Sequence, residues 1–274
     1  MGSNLFGRAR DCLCCDDVDE KLARAASLRR DWENARLELS EIRLLDVVEP
    51  GRPLRPLLVH PREVPRRSFV SPEGRLALIH AVAHIEFNAI NLACDAIFRF
   101  RDMSRTYYDD WVQVVAEEAA HFRLLRERLR ADGREYGDYP AHNGLWEMAL
   151  RTAADPLQRM ALVPRMLEAR GLDVTPAMIE RFNRVGDRAM VEVLGLILRE
   201  EVTHVALGSR WFKHLCAQRS LDPETTYFEL LDSFGKGEIR CPLHREARLQ
   251  AGFSESELAH LQQLCSHGQR GSGR

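Results

Sequence analysis

The sequence predicts an all-α fold with a four-helix bundle at its centre, on three observations. The first is helical periodicity: Trp111, Val114, Val115, Glu118, His121, Phe122, Leu125 and Leu129 fall on one face of a helix. The second is that this apolar stripe carries a carboxylate and an imidazole, in Glu118-Ala-Ala-His121. An ionised carboxylate in a core costs on the order of several kcal/mol unless a partner offsets it, and a metal cation is such a partner. The third is repetition. Glu86 lies in another apolar stripe 32 residues before Glu118, and Glu168 lies 33 residues before Glu201, which opens a second motif, Glu201-Val-Thr-His204.

A chain of 274 residues, 45% hydrophobic and 29% charged, can bury a sizeable core in one large or two small domains. The formal charge of −2 gives no global attraction to nucleic acid or anionic membrane, although the positive charge is almost wholly arginine, with lysine only at Lys21, Lys213 and Lys236. No stretch reaches about 18 consecutive apolar residues, and the charged N-terminus around Arg8 to Asp11 lacks a signal-peptide core, so no membrane span and a cytoplasmic location are expected. Seven scattered cysteines argue against a disulfide framework. The cluster Cys12, Cys14 and Cys15 could bind metal or sense redox state. It is read instead as incidental thiols of a mobile tail, since no second ligand pair stands nearby at zinc-site spacing.

Three regions are expected: an N-terminal arm with a proline-rich connection (1–71), the bundle (72–219) and a C-terminal helical extension with its tail (220–274). Residues 17–48 read as a charged amphipathic helix. The six prolines from Pro50 to Pro72 then disfavour helix and predict an extended connection. Ser71-Pro72-Glu73 supplies an N-cap, a first-turn proline and a first-turn acid, starting a helix over about 72–101 that is apolar nearly all round except at Glu86. After a break at Arg101–Ser104 the helix of Glu118 runs to about Ala131 and stops at Asp132-Gly133.

The second half echoes the first. A turn-rich crossing from Tyr136 to Gly144 and a short helix near Leu145–Ala154 lead to Asp155-Pro156, which opens a helix carrying Leu157, Ala161, Pro164 and Glu168 on one face. Pro164 is expected to kink that helix, Gly171 to stop it close after Glu168, and Thr175-Pro176 to start another. From Asp187 to Cys216, Leu194, Ile197, Leu198, Glu201, His204, Val205, Gly208 and Trp211 share a face.

Two helices giving one glutamate each and two giving Glu-x-x-His each furnish four carboxylates and two imidazoles to one interior: Glu86, Glu118, His121, Glu168, Glu201 and His204. That is the ligand set of a carboxylate-bridged di-iron or di-manganese centre, and oxygen-rich donors without thiolate suit those metals better than structural zinc. Glu117 and Glu200, just before the motifs, are placed to accept a histidine's free ring N–H and so fix its tautomer.

The bland alternative is a bundle with internal hydrogen-bonded polar residues, since about one Glu-x-x-His is expected by chance in such a composition. Glu257-Leu-Ala-His260 has the same spacing among Ser254, Glu255 and Ser256, with no upstream acid in a matching helix, and is read as a solvated face. His80 and His84 point away from Glu86 and read as helix-contact or substrate-side residues. Tyr107, Tyr108 and Trp111 read as aromatic packing, with electron transfer as the alternative. Arg165 and Arg170 could receive an anionic substrate or be salt-bridged.

The paired motifs with their preceding glutamates resemble the ferritin-like superfamily, and the arrangement is similar to the tRNA-modifying di-iron hydroxylases and the demethoxyubiquinone hydroxylases. His80-Ala-Val-Ala-His-Ile-Glu86, Glu117-Glu-Ala-Ala-His-Phe122, Tyr136-Gly-Asp-Tyr-Pro-Ala-His-Asn-Gly-Leu-Trp-Glu147 and His204-Val-Ala-Leu-Gly-Ser-Arg-Trp-Phe212 look more closely like a bacterial family catalogued as a domain of unknown function, over about residues 50–255. The resemblance implies a ferritin-like four-helix bundle, the six ligands above and two iron ions, with manganese as the alternative. Glu200 stands where many relatives have aspartate. The expected activity is oxidation or hydroxylation of an organic substrate using dioxygen and an electron donor. Ferrous iron oxidation and a non-catalytic binding module are the alternatives, tRNA is a candidate partner, and a dimer is compatible with the pattern.

Overall fold

The computed structural model describes residues 4–40, 49–64, 69–234 and 239–271, and in its last helix side chains up to Cys265. Among the described residues every regular element is helical. Only two isolated bridge pairs stand outside, Asn4 with Glu38 and Leu58 with Ala141. The chain divides into two compact units, Met1–Leu150 and Arg151–Arg274.

In the first unit, α1 (Leu5–Leu13) packs on α3 (Pro72–Arg99), α2 (Val18–Glu33) packs on α4 (Arg105–Ala131), and α3 lies along α4. Each of the first three starts on a side-chain cap: Asn4 accepts from Gly7 N–H, Asp17 from Glu20 N–H, and Ser71 from Gly74 N–H ahead of Pro72 in the first turn. The α3 helix is long and apolar enough to cross a membrane by length and composition, and most of it is buried inside the protein, as for a core helix. Short α5 (Gly144–Arg151) follows a crossing in which Val59 N–H donates to the Ala141 carbonyl at 2.8 Å, tying down the proline-rich connection.

The N-terminus corrects the expectation of a mobile tail. Cys12 is fully buried in α1 and Cys15 is buried just beyond it. The fully buried Lys21 closes α1 from below: its Nζ donates to the carbonyls of Cys12 (3.1 Å) and Leu13 (3.0 Å) and to Asn91 Oδ1 on α3 (2.5 Å). The expected helix over 17–48 ends at Glu33, where Asn34 caps it and Ala35 takes a positive φ of 52°. Leu37 and Leu39 lie beyond it, and residues 41–48 lie outside the described residues.

The second unit departs further. Residues 156–184 form one continuous helical run: α6 (Pro156–Leu162), a π-helical stretch (Val163–Glu168) and α7 (Ala169–Arg184). Gly171 does not stop it and Pro176 lies inside α7, so Glu168 sits mid-run rather than near a helix end. Pro164 brings no N–H for the bond to residue 160 and its ring would strike that carbonyl; the wider turn absorbs both problems.

The long α8 (Arg188–Gln218) packs against α6, the π stretch and α7. At Gly208 the approach is so close that a Cβ would stand 2.4 Å from both Cβ and Cγ of Pro164. Three helices follow: α9 (Pro223–Phe234), α10 (Arg245–Gln250) and α11 (Glu255–Gly271). Cys241 and Cys265 form a disulfide, Cα atoms 5.6 Å apart, a pairing the sequence reading did not foresee. It is one bridge and not a framework.

Candidate metal centre

In the first unit, Glu86 from α3 and Glu118 and His121 from α4 meet inside the protein. All three are buried, with 4%, 1% and 0% of their surface exposed. Each offers a ligand atom, and those atoms lie within 4.8 Å of one another, a group that could hold a metal ion. His121 Nδ1 stands 3.3 Å from Glu86 Oε2 and 3.4 Å from Glu118 Oε2. The i, i+3 spacing sets the α4 pair on one side of its helix, and the close packing of α3 along α4 supplies the second acid.

Burial opposes charging of His121, but its hydrogen bonds to Glu118 and Glu86, together with their charges, overcome this and lift the imidazole to about 11. A divalent cation displacing the ring proton would meet the two carboxylates in its place. Two carboxylates and an imidazole without thiolate suit iron or manganese better than a structural zinc site.

In the second unit, His204 of α8 is fully buried and its Nδ1 lies 3.4 Å from Glu201 Oε1, repeating the geometry of the α4 motif. Glu201 is half-buried, as are Glu168 at the end of the π stretch and Glu200 beside Glu201. Glu117 is half-buried and accepts a hydrogen bond from Gln113 one turn earlier at 2.8 Å.

The secondary candidates sort by contact. His84 is buried, its Nδ1 2.9 Å from the Tyr136 hydroxyl and its Nε2 3.1 Å from the His142 carbonyl, while His80 Nε2 accepts from Gly137 N–H at 2.8 Å. Burial holds His84 down at about 4, against the hydrogen bond to the His142 carbonyl, so it is neutral. Both histidines thus fasten the 136–142 crossing to α3. Tyr107, Tyr108 and Trp111 are buried and pack edge-on or tilted against one another.

The motif read as a solvated face is corrected. Glu257 is 2% exposed, accepts from Arg165 Nη2 at 2.7 Å and caps its own helix by accepting from Ser254 N–H at 2.7 Å. His260 is exposed, with its ring stacked on Phe228. Arg165, one of the two arginines considered for an anionic substrate, is fully buried in this ion pair. The spacing of Glu257 and His260 carried no signal of this, because Arg165 is 92 residues away.

The fold and this group define an all-helical protein with a buried carboxylate–imidazole cluster able to hold a metal ion. The chain belongs to the family described as "Protein of unknown function (DUF455)", whose model matches residues 14–259. It is similar to an uncharacterized protein of Haemophilus influenzae, 46% identical over 213 residues that cover 75% of this chain and 74% of the relative. No solved structure matches.

Proposed function

We propose that the chain is a ferritin-like, carboxylate-bridged di-iron protein of the cytoplasm. Its bundle spans residues 72–219, and it uses dioxygen to hydroxylate or oxidise an organic substrate. The observation that carries this reading is the buried, oxygen-rich group of Glu86, Glu118 and His121 within an apolar core. The repeat of the same i, i+3 pair at Glu201 and His204, each motif preceded by an acid at nearly equal distance, supports a second half-site with Glu168. Together the six residues make the ligand set of a dinuclear centre. Bound iron would supply the dioxygen and redox chemistry. The chain's residues hold the ions: Glu86, Glu118 and His121 from α3 and α4, and Glu168, Glu201 and His204 from the π stretch and α8. Phe87, Val115 and Phe122, close to these residues along α3 and α4, are themselves buried and apolar.

The test is metal analysis after anaerobic ferrous loading, followed by oxygen exposure and optical spectroscopy. About two irons per chain, falling by at least one in Glu118→Ala, support the reading. A protein that stays metal-free and colourless after loading refutes it. Manganese in place of iron would revise the metal and keep the ligands. A tRNA substrate is supported by ligand pattern alone and is dropped if no salt-dependent tRNA binding is measured.

A further inference from the structure

The π stretch that ends in Glu168 is gripped from both sides by the C-terminal helices. Arg165, within it, is fully buried. Its Nε donates to Ser209 Oγ on α8 (3.1 Å) and its Nη2 to Glu257 on α11 (2.7 Å), while its backbone carbonyl accepts from the Tyr227 hydroxyl on α9 (3.1 Å). The guanidinium also lies over the rings of Phe212, Tyr227 and Phe253, 4.9, 4.3 and 4.5 Å from their centroids. On the other side of Glu168, Arg248 of α10 is 2% exposed. It donates to both oxygens of Asp173 on α7, at 2.9 and 2.7 Å, and to the carbonyl of Ala169 at 3.4 Å.

Both grips depend on one short stretch of chain. Arg248 and Glu257 lie inside the loop that the Cys241–Cys265 disulfide closes, 24 residues apart in sequence. The bridge therefore ties residue 241, ahead of α10, to residue 265 within α11, closing the segment whose side chains fix the residues flanking Glu168. In the cytoplasm proposed above, disulfides are characteristically transient or redox-sensing, so a bridge in this position is open to control.

We propose that the Cys241–Cys265 disulfide is a redox latch on the metal centre: oxidised, it clamps the 241–265 segment onto the Val163–Glu168 stretch; reduced, it lets that segment loosen and Glu168 lose its fixed position. The effect on metal rests on Glu168 being a ligand, as proposed above; the clamp does not. Opening the latch needs a two-electron dithiol reductant. One reductant thiolate attacks a sulfur of the bridge and expels the other as a thiolate, which takes up a proton. The second reductant thiol then resolves the mixed disulfide, leaving two protein thiols and an oxidised reductant.

The experiment compares metal-free, full-length protein, oxidised and treated with dithiothreitol, by amide hydrogen exchange, and in parallel measures iron bound by each form. The latch predicts that amides of 163–173 exchange about tenfold to a hundredfold faster after reduction, while amides of α3 and α4 are unchanged. Glu257→Gln, which weakens the Arg165 grip without touching a thiol, should speed the same amides in the oxidised protein. Exchange unchanged on reduction, or accelerated evenly through the chain, overturns the latch. If the local acceleration appears but iron binding is equal in both forms, Glu168 is not controlled by the latch and that half is overturned. If the oxidised protein binds no iron at all, the metal reading fails and the clamp stands on the exchange data.

Discussion

Substituting alanine for Gly208 tests the packing that places Pro164, and with it the π stretch, against α8. An added Cβ would stand 2.4 Å from two atoms of the Pro164 ring, and ordinary contact begins at 3.4 Å, so the two segments must part by about 1 Å. The ring cannot swing aside as a flexible side-chain end could. Overpacking of this kind costs about 1–3 kcal/mol. Alanine also gains about 1 kcal/mol over glycine in a helix interior, which would mask part of the loss. Gly195, on the same helix, removes that ambiguity, because a Cβ there would meet only the end of Arg199 at 3.7 Å. Gly195→Ala should therefore match or exceed the wild type in stability, and Gly208→Ala should fall below Gly195→Ala by the whole clash, about 3–10 °C in melting temperature for a unit of this size. Calorimetry of the two variants side by side decides the matter. Equal melting temperatures for the two alanine variants would show that α8 and the Pro164 turn do not pack as closely as described. Glu168 lies four residues beyond Pro164, so on the proposed ligand set the 208 variant should also bind less iron per chain than the 195 variant.

Acid should weaken the fold through His84. Its folded pKa of about 4 lies below the usual value of 6.5, so the unfolded chain binds the extra proton first. Stability from this residue is then full above pH 6.5 and is lost by about 3 kcal/mol as pH falls toward 4. Urea midpoints across that range, with a His84→Gln variant flattening the slope, check the assignment. Replacing Lys21 with methionine removes three hydrogen bonds that hold α1 to α3 and should cost about 2–4 kcal/mol in urea denaturation; a loss under about 0.5 kcal/mol would refute its role as a buried cap. Glu257→Ala should cost about 3–5 kcal/mol by leaving Arg165 buried without its carboxylate, whereas His260→Ala should cost less than about 1 kcal/mol; comparable losses from the two would contradict the asymmetry of that motif.

The signals that were legible in the sequence are those read within one turn of chain. Ser71-Pro72 and Asp155-Pro156 start helices because a short polar side chain accepts from a backbone N–H two or three residues on, and both do so in the structure. Helix ends inside the second unit were not legible, because they depend on partners far away in sequence. Gly171 and Pro176 are weak stop and start signals on their own, and the packing of α7 on α8 carries the helix through both. Gly208 reads as one more small residue in an apolar stripe until Pro164, 44 positions earlier, is found against it.

The two motifs Glu118-x-x-His121 and Glu257-x-x-His260 show why spacing alone cannot separate a ligand from a structural carboxylate. Both glutamates are buried to nearly the same extent, so burial does not divide them either. Their neighbours do. Glu257 faces Arg165, and the pair is already charge-complete, so a cation there would have to displace a guanidinium. Glu118 faces a second acid, Glu86, across an imidazole, and like charges in a core are sustained only by additional positive charge, whether protons or a metal ion. The sign of the nearest charge across the helix interface therefore decides which glutamate is a ligand candidate, and that sign belongs to the packing of α3 on α4 and of α11 on the π stretch, not to the motif.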